Sequence, residues 1–213
     1  VQKVNKSTVK KIRSKRYIAV AEKVDKNKKY PVAEAIELAK ETASTKFEGS
    51  VELHIKLSEK KGKKKGVDEL ARGIFHLPHG SGKTVKVAVL DENMVEEIFK
   101  TKKVNFDVAI ATPALMPKLG KIAKILGPKG KMPNPKTGTV TEDPEKIKAE
   151  IEKGKAEYKV DSSNVIHQMV GKTGWESEKI RENFAAVMQT LPKNRIVSVS
   201  LTTTMGPGIK VEY

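Results

Sequence analysis

Residues 50–57 read Ser50-Val51-Glu52-Leu53-His54-Ile55-Lys56-Leu57 and alternate apolar with polar side chains without a break. A β-strand turns successive side chains to opposite faces, so Val51, Leu53, Ile55 and Leu57 share one face and Glu52, His54 and Lys56 the other. A strand that is apolar on one side only belongs to a sheet packed on a core with its second face free, as antiparallel sheets commonly are. The same style returns after about Tyr158. Val165 to Val170 reads as a strand, and Glu176 to Leu191 as a helix with Ile180, Phe184, Val187, Met188 and Leu191 on one face. Ile196 to Thr202 reads as a final strand, with Val197, Val199 and Leu201 inward and Ser198, Ser200 and Thr202 outward.

The middle of the chain has a different style. Val85 to Leu90 and Phe106 to Ala111 are short, nearly continuous apolar runs, the pattern of strands buried on both faces in a parallel sheet. Met94 to Lys100 and Lys118 to Leu126 supply helical periodicity between and after them, the second with Leu119, Ile122, Ala123 and Leu126 on one face and Gly127-Pro128 as its stop. Asp143-Pro144 reads as the cap of a further helix, with Ile147 and Ile151 inward and Gly154 just past its end. Upstream, Pro31 suits the first turn of a helix whose Val32, Ala35, Ile36, Ala39 and Ala43 recur at helical spacing, and which ends near Thr42 to Thr45. A short helix is expected around Tyr17 to Lys23, behind a basic N-terminal arm. The two styles nest: an antiparallel unit is built from both ends of the chain, residues 1–79 and 157–213, and a parallel unit is inserted at 80–156. Crossings near Pro78 to Gly80 and Ala156 to Tyr158 make a two-strand hinge.

Charge narrows the function. The 213 residues carry 42 Lys plus Arg against 26 Asp plus Glu, a formal charge of +16, which a compact chain tolerates best beside a polyanionic partner. Aromatic residues are only 5%, so Val, Ile, Leu and Ala build the core. There is no cysteine, which excludes disulfides and thiol chemistry and fits a reducing cytosol. No apolar run reaches the roughly 20 residues of a membrane span, and the basic N-terminal stretch lacks the apolar run of a secretory signal.

Several segments invite chemical readings. Gly80-Ser81-Gly82-Lys83-Thr84 superficially resembles a phosphate loop, but Leu77 stands where that motif needs its first glycine, and the segment precedes a strand instead of following one. Nucleotide hydrolysis is therefore not expected. Four histidines without cysteine make no recognisable metal set, and no nucleophile triad or carboxylate pair stands out. No enzyme and no cofactor are expected. The stretch 113–140, PALMPKLGKIAKILGPKGKMPNPKTGTV, has no acidic residue and reads equally as a phosphate-binding surface or as a loop with a solvated basic rim. The loop Ser58 to Gly66, SEKKGKKKG, is a block of like charge. Lys46-Phe47 places a ring beside a cation at an element junction, where it can belong to the core or stack on a base. Ser198, Ser200 and Thr202 lead into Thr203-Thr204-Met205-Gly206-Pro207-Gly208, where hydroxyls suit phosphate and ribose oxygens and glycines permit close approach. The same threonines also make an ordinary strand end.

Together TASTKFEGSVELHIKL at 42–57, LPHG at 77–80, KLGKIAKILGPKGKMPNPKTGTV at 118–140 and SVSLTTTMGPG at 198–208 resemble the L-one family of large-subunit ribosomal proteins, bacterial type, along nearly the whole chain. The resemblance implies α+β and α/β folds: a discontinuous split β-α-β (ferredoxin-like) domain with an inserted Rossmann-like three-layer α/β domain. It implies large-subunit rRNA at the mobile stalk as partner, release of deacylated tRNA from the exit site, and repression of the chain's own operon mRNA. A cytoplasmic, ribosome-bound protein that is a monomer off the ribosome follows, with no membrane partner. Matched motif by motif, the rRNA-binding residues are Lys46, Phe47, His54, Lys56, His167, Lys172, Thr202, Thr203, Thr204, Met205 and Gly206. The basic segment 113–140 then falls in the inserted unit, away from the main rRNA contact. The chain departs from the family in lacking an additional helix and strand between Leu90 and Asp91, in a longer lysine-rich loop after Leu57, and in a short connection from Leu191 to Arg195.

Overall fold

The computed structural model describes residues 14–58 and 72–213. The lysine-rich loop after Ser58 and the first part of the basic N-terminal arm lie outside the described residues. In chain order come α1 (Lys15–Ala21), α2 (Val32–Glu41), β1 (Ser50–Leu57), β2 (Arg72–His76), β3 (Val87–Val89), α3 (Glu92–Thr101) and β4 (Val108–Ile110). They are followed by α4 (Met116–Leu119), α5 (Ala123–Leu126), α6 (Pro144–Glu152), β5 (Lys155–Lys159), β6 (Val165–Lys172), α7 (Ser177–Thr190), β7 (Ile196–Thr203) and β8 (Ile209–Val211). The fold is mixed α/β.

The alternation at 50–57 does what it predicts. β1 is a strand whose Val51, Leu53, Ile55 and Leu57 are buried, at 0 to 3% exposure. Fully burying a side chain of this size is worth about 1.5–3 kcal/mol, so one face of one strand anchors the core. The sheet order is β6-β1-β7-β8, with every pairing antiparallel. β6 and β7 are therefore parallel to each other across β1 and joined by α7, a split β-α-β unit. α2 and α7 cover the apolar face through Ala35, Ile36, Ala39, Ile180, Phe184 and Val187.

Several expectations for this sheet and its helices are corrected. Val197 does not face inward; it is 54% exposed. The pairing of β1 with β7 skips it, running from Lys56 opposite Ser198 to Leu57 opposite Ile196, so a bulge turns Val197 out to solvent. β7 is not the last strand, because β8 pairs with it at Val199, Ser200 and Leu201. Pro31 is the N-cap of α2, one residue ahead of the first helical turn. Ala43 is only half-buried, beyond the end of α2, while Met188, also half-buried, does pack against the core on the α7 face as expected.

A second buried cluster gathers Leu90, Val95, Ile98, Phe106, Ala109, Ala111, Leu119, Ile122 and Leu126. Here β3, α3 and β4 form a right-length crossover with β3 and β4 parallel, as the apolar runs predict. The strands are only three residues each, and Val87, Ala88 and Val89 are half-buried, so burial on both faces does not hold for β3. Among the described residues this sheet has two strands, extended by one parallel bridge from Ala111 to Val140, which leaves β3 at an edge. The single helix expected over Lys118 to Leu126 is broken: α4 and α5 flank a 3-10 turn at Gly120–Ile122, although Leu119, Ile122 and Leu126 are buried as expected and Ala123 only partly. Asp143 does precede α6, but its carboxylate binds Lys146 Nζ at 2.6 Å and caps no backbone amide, and Ile147 and Ile151 are half-buried.

The two crossings between these clusters are paired. β2, which the sequence pattern did not reveal, runs antiparallel to β5 through five residue pairs, and Phe75 stacks on Tyr158 with ring centroids 4.2 Å apart. Asn183 of α7 clamps the chain where it leaves β2. Its side chain is completely buried, donates to Gly80 O at 2.9 Å and Val170 O at 2.7 Å, and accepts from His79 N at 3.1 Å. Each buried group left without its partner costs about 1–3 kcal/mol. Asn183→Leu is thus expected to lower unfolding free energy by at least about 2 kcal/mol, measured by urea denaturation; a change under half that would show that the clamp is replaced by water.

Candidate nucleic-acid interface

Three chain segments meet at one end of the four-stranded sheet. The segment before β1 carries Lys46 and Phe47, the loop after β6 carries Lys172 to Trp175, and the turn after β7 carries Thr204 to Gly206. Backbone hydrogen bonds stitch them: Thr173 N donates to Gly49 O at 2.9 Å, and Thr204 N donates to Ser50 O at 3.0 Å. Side chains repeat the stitching, since Ser50 N donates to Thr204 Oγ1 at 2.9 Å and Gly49 N to Thr173 Oγ1 at 3.1 Å. Lys40 of α2 reaches under the loop to Trp175 O and to Ser177 Oγ.

That framework projects two apolar side chains into solvent, Phe47 at 61% exposure and Met205 at 68%. The burial alternative for Phe47 is thereby removed. Met205 adopts φ +66, a conformation L-residues rarely take. Gly206 N donates to Thr203 O at 2.8 Å, and a Cβ at Gly206 would collide with the Thr203 hydroxyl, so glycine is required there. Thr203 itself is buried, with Oγ1 unpartnered among the described residues. Its hydroxyl supports the turn from beneath and faces no solvent.

The outer face of the sheet continues from this end. Glu52, His54 and Lys56 of β1 stand beside Thr202, Ser200 and Ser198 of β7 and beside Met169, His167 and Val165 of β6. His54 and His167 meet edge to face, Nδ1 to Nδ1 at 2.7 Å, while His54 Nε2 lies 2.9 Å from Thr202 Oγ1. Two nitrogens that close share one proton: one donates and the other must be neutral to accept. Asp161 flanks the far side, 3.7 Å from His167 Nε2, and Glu52 lies 4.0 Å from His54 Nε2. Lys172 pairs with Glu48 at 3.4 Å. Among the described residues Lys46 and Lys56 form no ion pair.

All eleven expected residues therefore lie on or directly under one surface, with Thr203 the one beneath it. Lys210 was missed. It stands on the same face of β8 opposite Ser200, exposed, and the signal was the short alternation Ile209-Lys210-Val211. Among the described residues no cluster of His, Asp or Glu could hold a metal ion, and no helix is long and apolar enough to cross a membrane.

A mixed α/β protein with a hydroxyl- and cation-bearing open sheet face is the class that fold and surface define. The model of the ribosomal protein L1p/L10e family matches residues 91–207. The "Large ribosomal subunit protein uL1" of Mycoplasma capricolum is 44% identical over 225 aligned positions covering 94% of this chain and 98% of that protein. Those of Mesoplasma florum and Thermosipho africanus are 45% and 42% identical, covering 93% of this chain and 97% and 96% of theirs. The chain belongs to this family, one of ribosomal proteins and not of enzymes. The first alignment has more positions than the chain's 213 residues, so this chain lacks residues that the relative has.

Burial first, and then the neighbouring His167 ring, hold the His54 imidazole below its ordinary value of 6.5, with Glu52 opposing. The folded state thus takes up this proton less readily than the unfolded chain. Above about pH 6.5 both states are neutral and the difference vanishes; as pH falls through 6.5 toward the lowered folded value, stability is lost. An NMR titration is expected to place His54 below His in the unfolded chain. His167→Gln should raise its midpoint only partway, because burial remains; no upward movement would refute the role of the ring contact.

Proposed function

We propose that this chain is a structural component of the large ribosomal subunit that binds large-subunit rRNA with the outer sheet face and the Phe47–Met205 end. The observation that carries the reading is the pairing of two exposed apolar side chains with a continuous field of hydroxyls, imidazoles and lysines on one rigid surface. Apolar side chains held in solvent at a fixed angle suit stacking on unpaired bases or ribose, while hydroxyls and lysines meet phosphate and 2′-OH groups. Lys46, Phe47, His54, Lys56, Lys172, Thr202, Thr204, Met205 and Gly206 contact RNA in this reading, with His167 acting through His54. The similar proteins, each a large ribosomal subunit protein, support the subunit assignment.

In the same proposal the two buried clusters are two domains, residues 1–79 with 157–213 and residues 80–156, the second inserted and Rossmann-like. Docking at the mobile stalk, assistance to release of deacylated tRNA at the exit site, and repression of the chain's own operon mRNA rest on the family resemblance, as does a cytoplasmic protein that is monomeric off the ribosome. Nucleotide-resolution protection of large-subunit rRNA by the purified protein tests the assignment, and equal affinity for an unrelated structured RNA would overturn it.

Phe47→Ala and Met205→Ala are each expected to weaken binding to the cognate rRNA fragment by about 1–3 kcal/mol while leaving thermal stability within error, because neither side chain is buried. Thr204→Ala should lose both affinity and stability, since Thr204 Oγ1 also accepts the Ser50 amide. Filter binding beside a thermal melt separates the two effects.

A further inference from the structure

A cleft of about 760 Å³ opens between the β2–β5 ladder and the second buried cluster, and none of the interface residues lines it. One wall is the segment Gly80 to Thr84. Gly80 and Gly82 have φ of +67 and +73 with Ser81 between them on the ordinary side, the alternation from which anion-binding backbone concavities are made. Among the described residues no protein acceptor takes the amides of Ser81, Gly82, Lys83 or Thr84, and no partner takes the hydroxyls of Ser81 or Thr84. The segment is nonetheless braced. A Cβ on Gly82 would come within 2.8 Å of the Trp175 ring, so the loop rests against a packed aromatic side chain.

The remaining walls bring charge. Arg72, Lys83 and Lys159 line the cleft against the one carboxylate of Glu157. Lys83 reaches Asp107 only at 3.8 Å and Arg72 reaches Glu157 only at 3.8 Å, and Lys159 forms no ion pair among the described residues. Lys155 also lines the cleft but is committed to Glu150 at 2.8 Å. We propose that this cleft binds a phosphate group, with the Ser81–Thr84 amides and hydroxyls on one side and Arg72, Lys83 and Lys159 supplying the countercharge. A tetrahedral dianion accepts several of these donors at once, and charge-assisted hydrogen bonds are roughly twice as strong as neutral ones. The segment opens into a strand and not into the helix N-terminus of a nucleotide-cleaving phosphate loop, so the proposal is confined to binding phosphate. The phosphate belongs either to a small phosphoanion or to an RNA chain.

The test uses the full chain, inorganic pyrophosphate and amide NMR. Shifts are expected to concentrate at Ser81 to Thr84, to be absent with chloride at equal ionic strength, and to need about tenfold more pyrophosphate in Lys83→Gln and in Lys159→Gln. Both replaced side chains are solvent-facing, so loss of the fold does not confuse the result. Shifts spread evenly over Lys118 to Lys131, or titrations unchanged in both variants, would overturn the site in favour of diffuse counterion attraction. Short RNAs with and without a 5′-phosphate separate the sources. A preference for the phosphorylated end marks a terminal phosphate, and equal shifts at Ser81 to Thr84 mark an internal phosphodiester. RNA that perturbs only amides around Phe47 and Met205, with pyrophosphate silent, would refute the cleft while supporting the sheet-face reading.

Discussion

The central position of β1 is the constraint on which the rest depends. It pairs on both edges, and its four inward side chains are almost completely buried. A slip of one residue would exchange that set with Glu52, His54 and Lys56, burying charge at a cost no other contact here could offset. Register is therefore fixed, and with it the opposition of His54 to His167 and the nearness of His54 to Thr202. The outer face is composed by the same alternation that builds the core. Irregularities are confined to the strand's ends, at Val51/Glu52 and Lys56/Leu57, where ladder strain can be released without moving the centre.

Among the described residues the chain passes between this sheet and the second cluster through β2 and β5. A five-pair ladder would be a weak tie by itself, but it is locked at its exit by Asn183 and by Gly154. Gly154 has φ +107, and a Cβ there would strike Leu77 O, so β2 and β5 close on each other more tightly than side chains allow. The clamp comes from α7, which also lies on the main core. The helix that covers the sheet thus also sets the angle at which the chain leaves it, and the cleft beside Gly80 to Thr84 is bounded by that angle.

Legibility in the sequence followed the size of each burial pattern. The β1 alternation and the α7 stripe were readable because each repeats one period over enough residues, and the parallel pairing of β3 with β4 because each lies in a nearly continuous apolar run. Val197 was misread because alternation cannot announce a bulge: the extra residue is defined by its partner strand, not by its own neighbours. β2 was hidden because Arg72-Gly73-Ile74-Phe75-His76 is too short and mixed to show a period, and it becomes a strand only by pairing with β5. The α4–α5 break shows the converse, for the apolar spacing survived while Gly120 admitted a tighter turn. Of the candidate interface, motif matching proposed the residues, and the structure shows that Thr203 lies beneath the surface and Lys210 upon it.

The surface gathers hydroxyls and two apolar side chains where a chain with 42 cations had lysines to spare. Lysine supplies affinity that is insensitive to sequence and is screened by salt, and its long stem holds no fixed direction. Met205 differs because its backbone is held left-handed, at a cost of roughly 1–2 kcal/mol that the bonds of Thr204 and Gly206 must offset. Such strain persists only where neighbouring structure enforces it, here through Ser50 and Thr203. In the proposed RNA-binding role, the net charge would draw in a polyanion from any direction, while the strained turn and the ring of Phe47 would demand one particular shape. On that proposal affinity and selectivity fall to different residues, and the second set is the one that β1 holds in place.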